Sequence, residues 1–116
     1  MSEPMYPEST AALARKRSEL APDALQAFKA FTAAVFAGGA RPAQTKQLIA
    51  VAVAHVTRCS YCIKGYIAEA LKQGASEKQV TEAIWVAAEM RAGGAYAHSA
   101  LALDVMQRHV HTSPAG

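Results

Sequence analysis

Pro42-Ala43-Gln44-Thr45-Lys46-Gln47-Leu48-Ile49-Ala50-Val51-Ala52-Val53-Ala54-His55-Val56-Thr57-Arg58-Cys59-Ser60-Tyr61-Cys62 is the stretch that decides how this chain folds. A proline suits the first turn of a helix, where its missing N–H has no intrahelical partner to lose. Leu48 to Val56 is apolar except for His55. Leu48, Ile49, Val51, Ala52, Val53 and Val56 cover more than half of a helical circumference. A helix apolar over so wide an arc is expected to be central and buried on several sides. The β-branched Val51-Ala52-Val53 also suits a buried strand, but the length of the segment and its proline start favour a helix over residues 42–57.

Working outward, Pro22 and Asp23 open a second helix whose apolar positions Leu25, Phe28, Phe31, Thr32 and Val35 recur at three- and four-residue intervals. Gly38-Gly39 stops it. Before it, Ser9 or Thr10 caps a first helix running to about Ala21. Residues 1–8, with Pro4 and Pro7, read as an extended arm. After the cysteines a helix runs from about Ser60 to Lys72, with Ile63, Tyr66, Ile67, Ala70 and Leu71 on its stripe, and Gly74 ends it. Ser76 and Gln79 form a capping box for a fifth helix carrying Val80, Ala83, Ile84, Ala87 and Met90. Gly93-Gly94 is expected to break it. A sixth helix is expected from about Ala95 to His109, with Tyr96, Ala100, Leu103 and Met106, before a frayed tail at 111–116. The expected architecture is all-α: a compact bundle of about six helices forming one domain over residues 9–110.

Composition supports this. The chain has 116 residues, and its 52% hydrophobic content includes only 7% aromatics. Alanine supplies much of the remainder, which favours close-packed helices. Charged residues, at 18%, fall below the average of about 25%, and sparse charge on a small chain suggests a homo-oligomer. The net charge of +3 comes from scattered lysines and arginines, with Arg15-Lys16-Arg17 as the one cluster. No basic stripe with interleaved aromatics points to nucleic acid. No run approaches the roughly 20 apolar residues of a membrane span, and no apolar segment follows a charged start, so a cytoplasmic location is expected.

Chemistry centres on Cys59 and Cys62, the two cysteines of the chain. Two intervening residues allow the sulfurs to meet, so the pair can form and break a disulfide. A cysteine in the first turn of a helix faces unpaired N–H groups and the positive end of the dipole, both of which favour the thiolate nucleophile. Arg58 and Lys64 add positive charge. Two buried small hydrophobes would seldom fall at this spacing, so a redox pair is the better reading. A Cys2His2 zinc site from Cys59, Cys62, His55 and His98 lacks the usual ligand spacing. No metal and no cofactor are assigned.

Around the pair stand candidate partners. Four residues turn a helix through about 400°, so Gln47, Val51, His55 and Cys59 fall near one face if the helix continues. His55 is a candidate proton acceptor, an imidazole being the side chain best matched to neutral pH; a core histidine bonded to a backbone carbonyl is an equal reading. Tyr66 and Tyr61 are candidate hydrogen-bond donors to a thiolate or a peroxide oxygen, although a packed aromatic is the simpler reading of each. His98, after the glycines, and Glu69, on the dithiol helix, are possible lining residues. Trp85 and Met90 are expected in a core or a subunit interface.

Residues 45–104, TKQLIAVAVAHVTRCSYCIKGYIAEALKQGASEKQVTEAIWVAAEMRAGGAYAHSALALD, resemble the carboxymuconolactone decarboxylase family in its alkylhydroperoxidase AhpD-like branch. The likeness covers about half the chain and includes the order and spacing of the motifs. It implies an all-helical fold and a homo-oligomer, commonly a trimer or hexamer. For members that keep the cysteine pair it implies a thiol peroxidase or disulfide reductase. Carried over, Cys62 attacks the peroxide, Cys59 resolves the sulfenic acid, and an outside dithiol protein restores both thiols. Two departures stand out. The family pattern has a glutamate where this chain has Gln47, and a histidine where it has Tyr66. Both replacements hydrogen-bond but do not readily relay a proton near neutral pH. The alternatives are a non-catalytic or redox-sensing oligomeric binding module with a degenerate relay, or lactone or small-acid decarboxylase chemistry. The decarboxylase branch lacks this dithiol.

Overall fold

The computed structural model describes residues 5–112 and is all-α, with five helices. They are α1 (Ala11–Leu20), α2 (Pro22–Phe36), α3 (Ala43–Thr57), α4 (Ser60–Lys72) and α5 (Glu77–Thr112). Of the arm and tail expected from sequence, residues 1–4 and 113–116 lie outside the described residues.

α3 packs against α4 and α5, and these contacts hold the bundle together. The three helices are tied at their ends. Gln44 Nε2 donates to Gln73 O at 3.0 Å, and Arg91 Nη1 donates to Val56 O at 2.8 Å. So α4 runs back along α3, and the first half of α5 returns alongside α3 in the same direction. The core between them is small: Val51, Ala70, Ala75 and Val80, with Leu48, Tyr66, Ile67 and Ile84 packed around it. α2 rests more lightly on α3, and α1 packs on α2 alone among the described helices.

The caps follow from local chemistry. Thr10 Oγ1 accepts from Leu13 N–H at 3.2 Å and starts α1. Gly74, at φ 94°, takes the left-handed conformation that ends α4, and Ala75 N–H reaches back to Ala70 O at 2.9 Å. The Ser76–Gln79 capping box forms in both directions, at 2.8 and 3.0 Å. Ser76→Ala is therefore expected to cost about 1 kcal/mol, read as a fall of roughly 5 °C in the thermal midpoint.

Two expectations are corrected. The described residues form five helices, because α5 runs through Gly93-Gly94 as one 36-residue helix. A helical glycine costs only about 1 kcal/mol relative to alanine. Here Ala92 and Ala95 flank the pair, and neither glycine takes a positive φ. Nor does this chain alone bury α3 on several sides. Val51 and Ala54 are buried, while Ile49 and Val53 are about half exposed, at 53% and 51%. Trp85 and Met90 are also exposed rather than in the core of this chain.

The radius of gyration is 21.1 Å, with principal extents of 67 × 37 × 34 Å. A compact 100-residue domain has a radius of about 13 Å. α5 contributes to the excess, since its second half continues past the cysteine end of the bundle with almost every residue exposed.

Candidate active site

Two helix ends meet at the cysteines. α3 stops at Thr57 because Arg58 turns into the left-handed region, at φ 58° and ψ 43°. That conformation usually falls to glycine and costs an ordinary residue about 1–2 kcal/mol. It lets Cys59 N–H bond Ala54 O at 3.1 Å, closing the helix end. Cys59 then serves as the N-cap of α4: its Sγ accepts from Cys62 N–H at 3.2 Å. Cys59 and Cys62 are joined as a disulfide, with Cα atoms 5.1 Å apart. Both sulfurs thus lie at the positive end of α4, where unpaired N–H groups favour negative charge.

Cys62 opens onto an apolar cleft of about 410 Å³ between α2, α3 and α4. Val35 and Phe36 form one wall, Ala50, Val53 and Ala54 another, and Tyr66 lies one turn beyond the sulfur on α4. Tyr66 stacks on Phe36 with centroids 5.3 Å apart and planes at 27°. Lys46 stands at the rim. Its Nζ donates to Val35 O at 2.9 Å and Ala37 O at 2.6 Å, so the ammonium caps the C-terminus of α2.

The other candidates are spread out. Tyr61, between the cysteines, is exposed and donates its hydroxyl to Pro7 O at 2.7 Å. His55 is half-buried, and its Nδ1 lies 2.8 Å from Val51 O. That carbonyl can only accept, so Nδ1 is the donor in this contact. At about 100° per residue, His55 points about 140° away from Ala50 on the cleft face. Because α3 ends before Cys59, the four-residue spacing from His55 does not place the two on one helix face. Gln47 is buried, at 7% exposure, and its Oε1 has no hydrogen-bond partner among the described residues. Glu69 is half-buried two turns beyond Cys62. His98 is exposed on the projecting half of α5, with Nδ1 2.9 Å from Gly94 O; it lies about 10 Å along the helix beyond Arg91. Among the described residues, no three of His, Cys, Asp and Glu gather as a metal site. No described helix is long and apolar enough to cross a membrane.

Sequence reasoning missed Phe36, Lys46, Ala50 and Ala54 as cleft residues. Nothing local marks them, since the cleft exists only where three helices converge.

An all-α fold with a Cys-x-x-Cys disulfide at the start of a helix beside an apolar cleft fits a redox role. Residues 22–104 match the model of the carboxymuconolactone decarboxylase family, and the chain belongs to that family. It is 51% identical over 106 residues to an uncharacterised protein of the cox locus of Paracoccus denitrificans, covering 91% of this chain and 95% of that one. An uncharacterised protein of Haemophilus influenzae is 41% identical over 83 residues, covering 72% of this chain and 74% of its own. A crystal structure of a protein from Methanobacterium thermoautotrophicum superposes with a TM-score of 0.66 at 35% identity, covering 71% of this chain and 94% of that chain.

Proposed function

We propose that the protein is a thiol-dependent peroxidase of the AhpD-like type acting on organic hydroperoxides. The observation that carries this is the position of Cys62. It is disulfide-bonded to Cys59 at a helix N-terminus and opens onto an apolar cleft.

With both cysteines reduced, the Cys62 thiolate attacks the terminal oxygen of R–O–O–H. The O–O bond breaks, sulfur is oxidised to sulfenic acid, and the alkoxide leaves as R–OH after gaining a proton. The Cys59 thiol then displaces hydroxide from the sulfenic sulfur, forming the disulfide and releasing water. A protein dithiol reduces that disulfide by exchange and is itself oxidised. The positive end of α4 favours the attacking thiolate. The cleft receives the apolar R group, and the Tyr66 hydroxyl supplies a hydrogen bond to the departing oxygen. No step is routed through His55, which does not line the cleft.

The test is a thiol titration of the reduced protein before and after one equivalent of an organic hydroperoxide. Loss of two thiols per chain is the expected result. Unchanged thiols would overturn the peroxidase and favour a binding module or lactone chemistry. A lower KM for an aryl-alkyl hydroperoxide than for hydrogen peroxide is also expected, since only the former can fill the cleft.

The working form is proposed to be a homo-oligomer, a trimer or a hexamer. What supports it is the exposed apolar surface of α5, together with a core too small for the apolar content of one chain.

A further inference from the structure

We propose that residues 5–10 form a strap whose hold on Tyr61 is set by the redox state of the Cys59–Cys62 pair. This rests on the reversible dithiol of the function proposed above, and it adds a structural response to that chemistry.

Tyr61 lies between the two cysteines in the first turn of α4. Its hydroxyl donates to Pro7 O at 2.7 Å, across 54 residues of sequence. The Tyr6 ring meets the Tyr61 ring edge-on, with centroids 6.0 Å apart and planes at 64°. Tyr61 also borders the groove formed by Pro7, Glu8 and Ser9 of the arm with Leu13 and Leu20 of α1. The side chain of the dithiol turn is thus the clasp for the N-terminal segment.

That segment has little else to hold it. α1 contains no buried residue and packs on no described helix but α2. A segment with so few buried contacts opens at low free energy, so one added or lost contact shifts its population measurably. The dithiol supplies such a change. Reduction takes up two electrons and two protons from a dithiol donor, which becomes a disulfide. The Cys59–Cys62 S–S bond breaks, and the covalent tie across the first turn of α4 is lost. Ser60 and Tyr61 are the residues spanned by that bond, so the turn presenting the clasp is the one its loss frees. The strap is docked in the oxidised state seen here and released on reduction.

Hydrogen exchange of the full chain, followed by mass spectrometry, tests this. The pair is closed with diamide or opened with dithiothreitol, and thiols are counted in parallel. Amides of residues 8–17 are expected to exchange about three- to tenfold faster in the reduced protein, the span of one hydrogen bond and its packing. Those of residues 80–90 serve as the unchanged reference. Tyr61→Phe removes only the hydroxyl and is expected to exchange at the fast rate in both states. Equal exchange in the two states of the wild type overturns the strap, as does a redox difference that persists in Tyr61→Phe. A pair that closes with diamide but ignores hydroperoxide overturns the peroxidase alone, and the exchange experiment still decides the strap. A pair that diamide cannot close overturns both.

Discussion

Cys62→Ser is expected to reduce hydroperoxide consumption to the uncatalysed rate, whereas Cys59→Ser is expected to keep one oxidation per chain and lose turnover. The two results differ because the two sulfurs stand differently. Cys62 opens on the cleft, and a serine oxygen there cannot take up the peroxide oxygen as sulfur does. Cys59 sits at the N-cap and accepts from Cys62 N–H. Serine is itself a strong N-cap residue, so Cys59→Ser keeps the start of α4 and removes only the thiol proposed to resolve the sulfenic acid. Intact-mass measurement after one equivalent of hydroperoxide should show one added oxygen on Cys59→Ser, trappable by a cyclic dione. With excess peroxide it should proceed to the sulfinic form. If instead Cys62→Ser gains the oxygen and Cys59→Ser does not, the roles are exchanged. If neither is oxidised, the peroxidase assignment fails.

The second large effect concerns α5. Tyr96, Ala100, Leu103, Met106 and Val110 fall at intervals of four, three, three and four, one stripe of a helix. Tyr96 is 82% exposed, Leu103 57%, Met106 54% and Val110 70%. Among the described residues, Val51 is the one large side chain that is fully buried. Burying each large apolar side chain of the stripe is worth about 1.5–3 kcal/mol. Together they offer on the order of 10 kcal/mol against the cost of association. We therefore expect the wild type to behave as an oligomer by light scattering at micromolar concentration. The double variant Leu103→Glu, Met106→Glu should run as a monomer and melt on the order of 10 °C lower. A monomeric wild type, or a double variant that keeps the oligomer and its melting point, would remove this interface from consideration.

Much of the fold was legible residue by residue because its signals are local. Thr10, the Ser76–Gln79 box and Gly74 mark helix ends through bonds made within a few residues, and each forms. The glycines at 93 and 94 misled because a glycine pair lowers helix propensity without removing a hydrogen bond, and its flanks restore what it costs. Of the site, the cysteine pair was legible from its spacing. The face assigned to His55 was not, because the left-handed turn at Arg58 ends α3 one residue short of Cys59. Nothing in the sequence around Arg58 announces that conformation, which glycine usually takes.

By itself, the sequence determined the all-α class, most helix ends and a dithiol at the start of α4. These depend on propensity, capping and spacing, which act over a turn or two. Only the tertiary structure decided that Cys62 faces a cleft walled by Phe36, Ala50 and Tyr66, and that Tyr61 clasps the arm through Pro7. It also decided that α5 continues beyond the bundle and exposes its apolar stripe. These features join residues up to 54 positions apart, and such meetings are set by how helices pack, not by the pattern within any one of them.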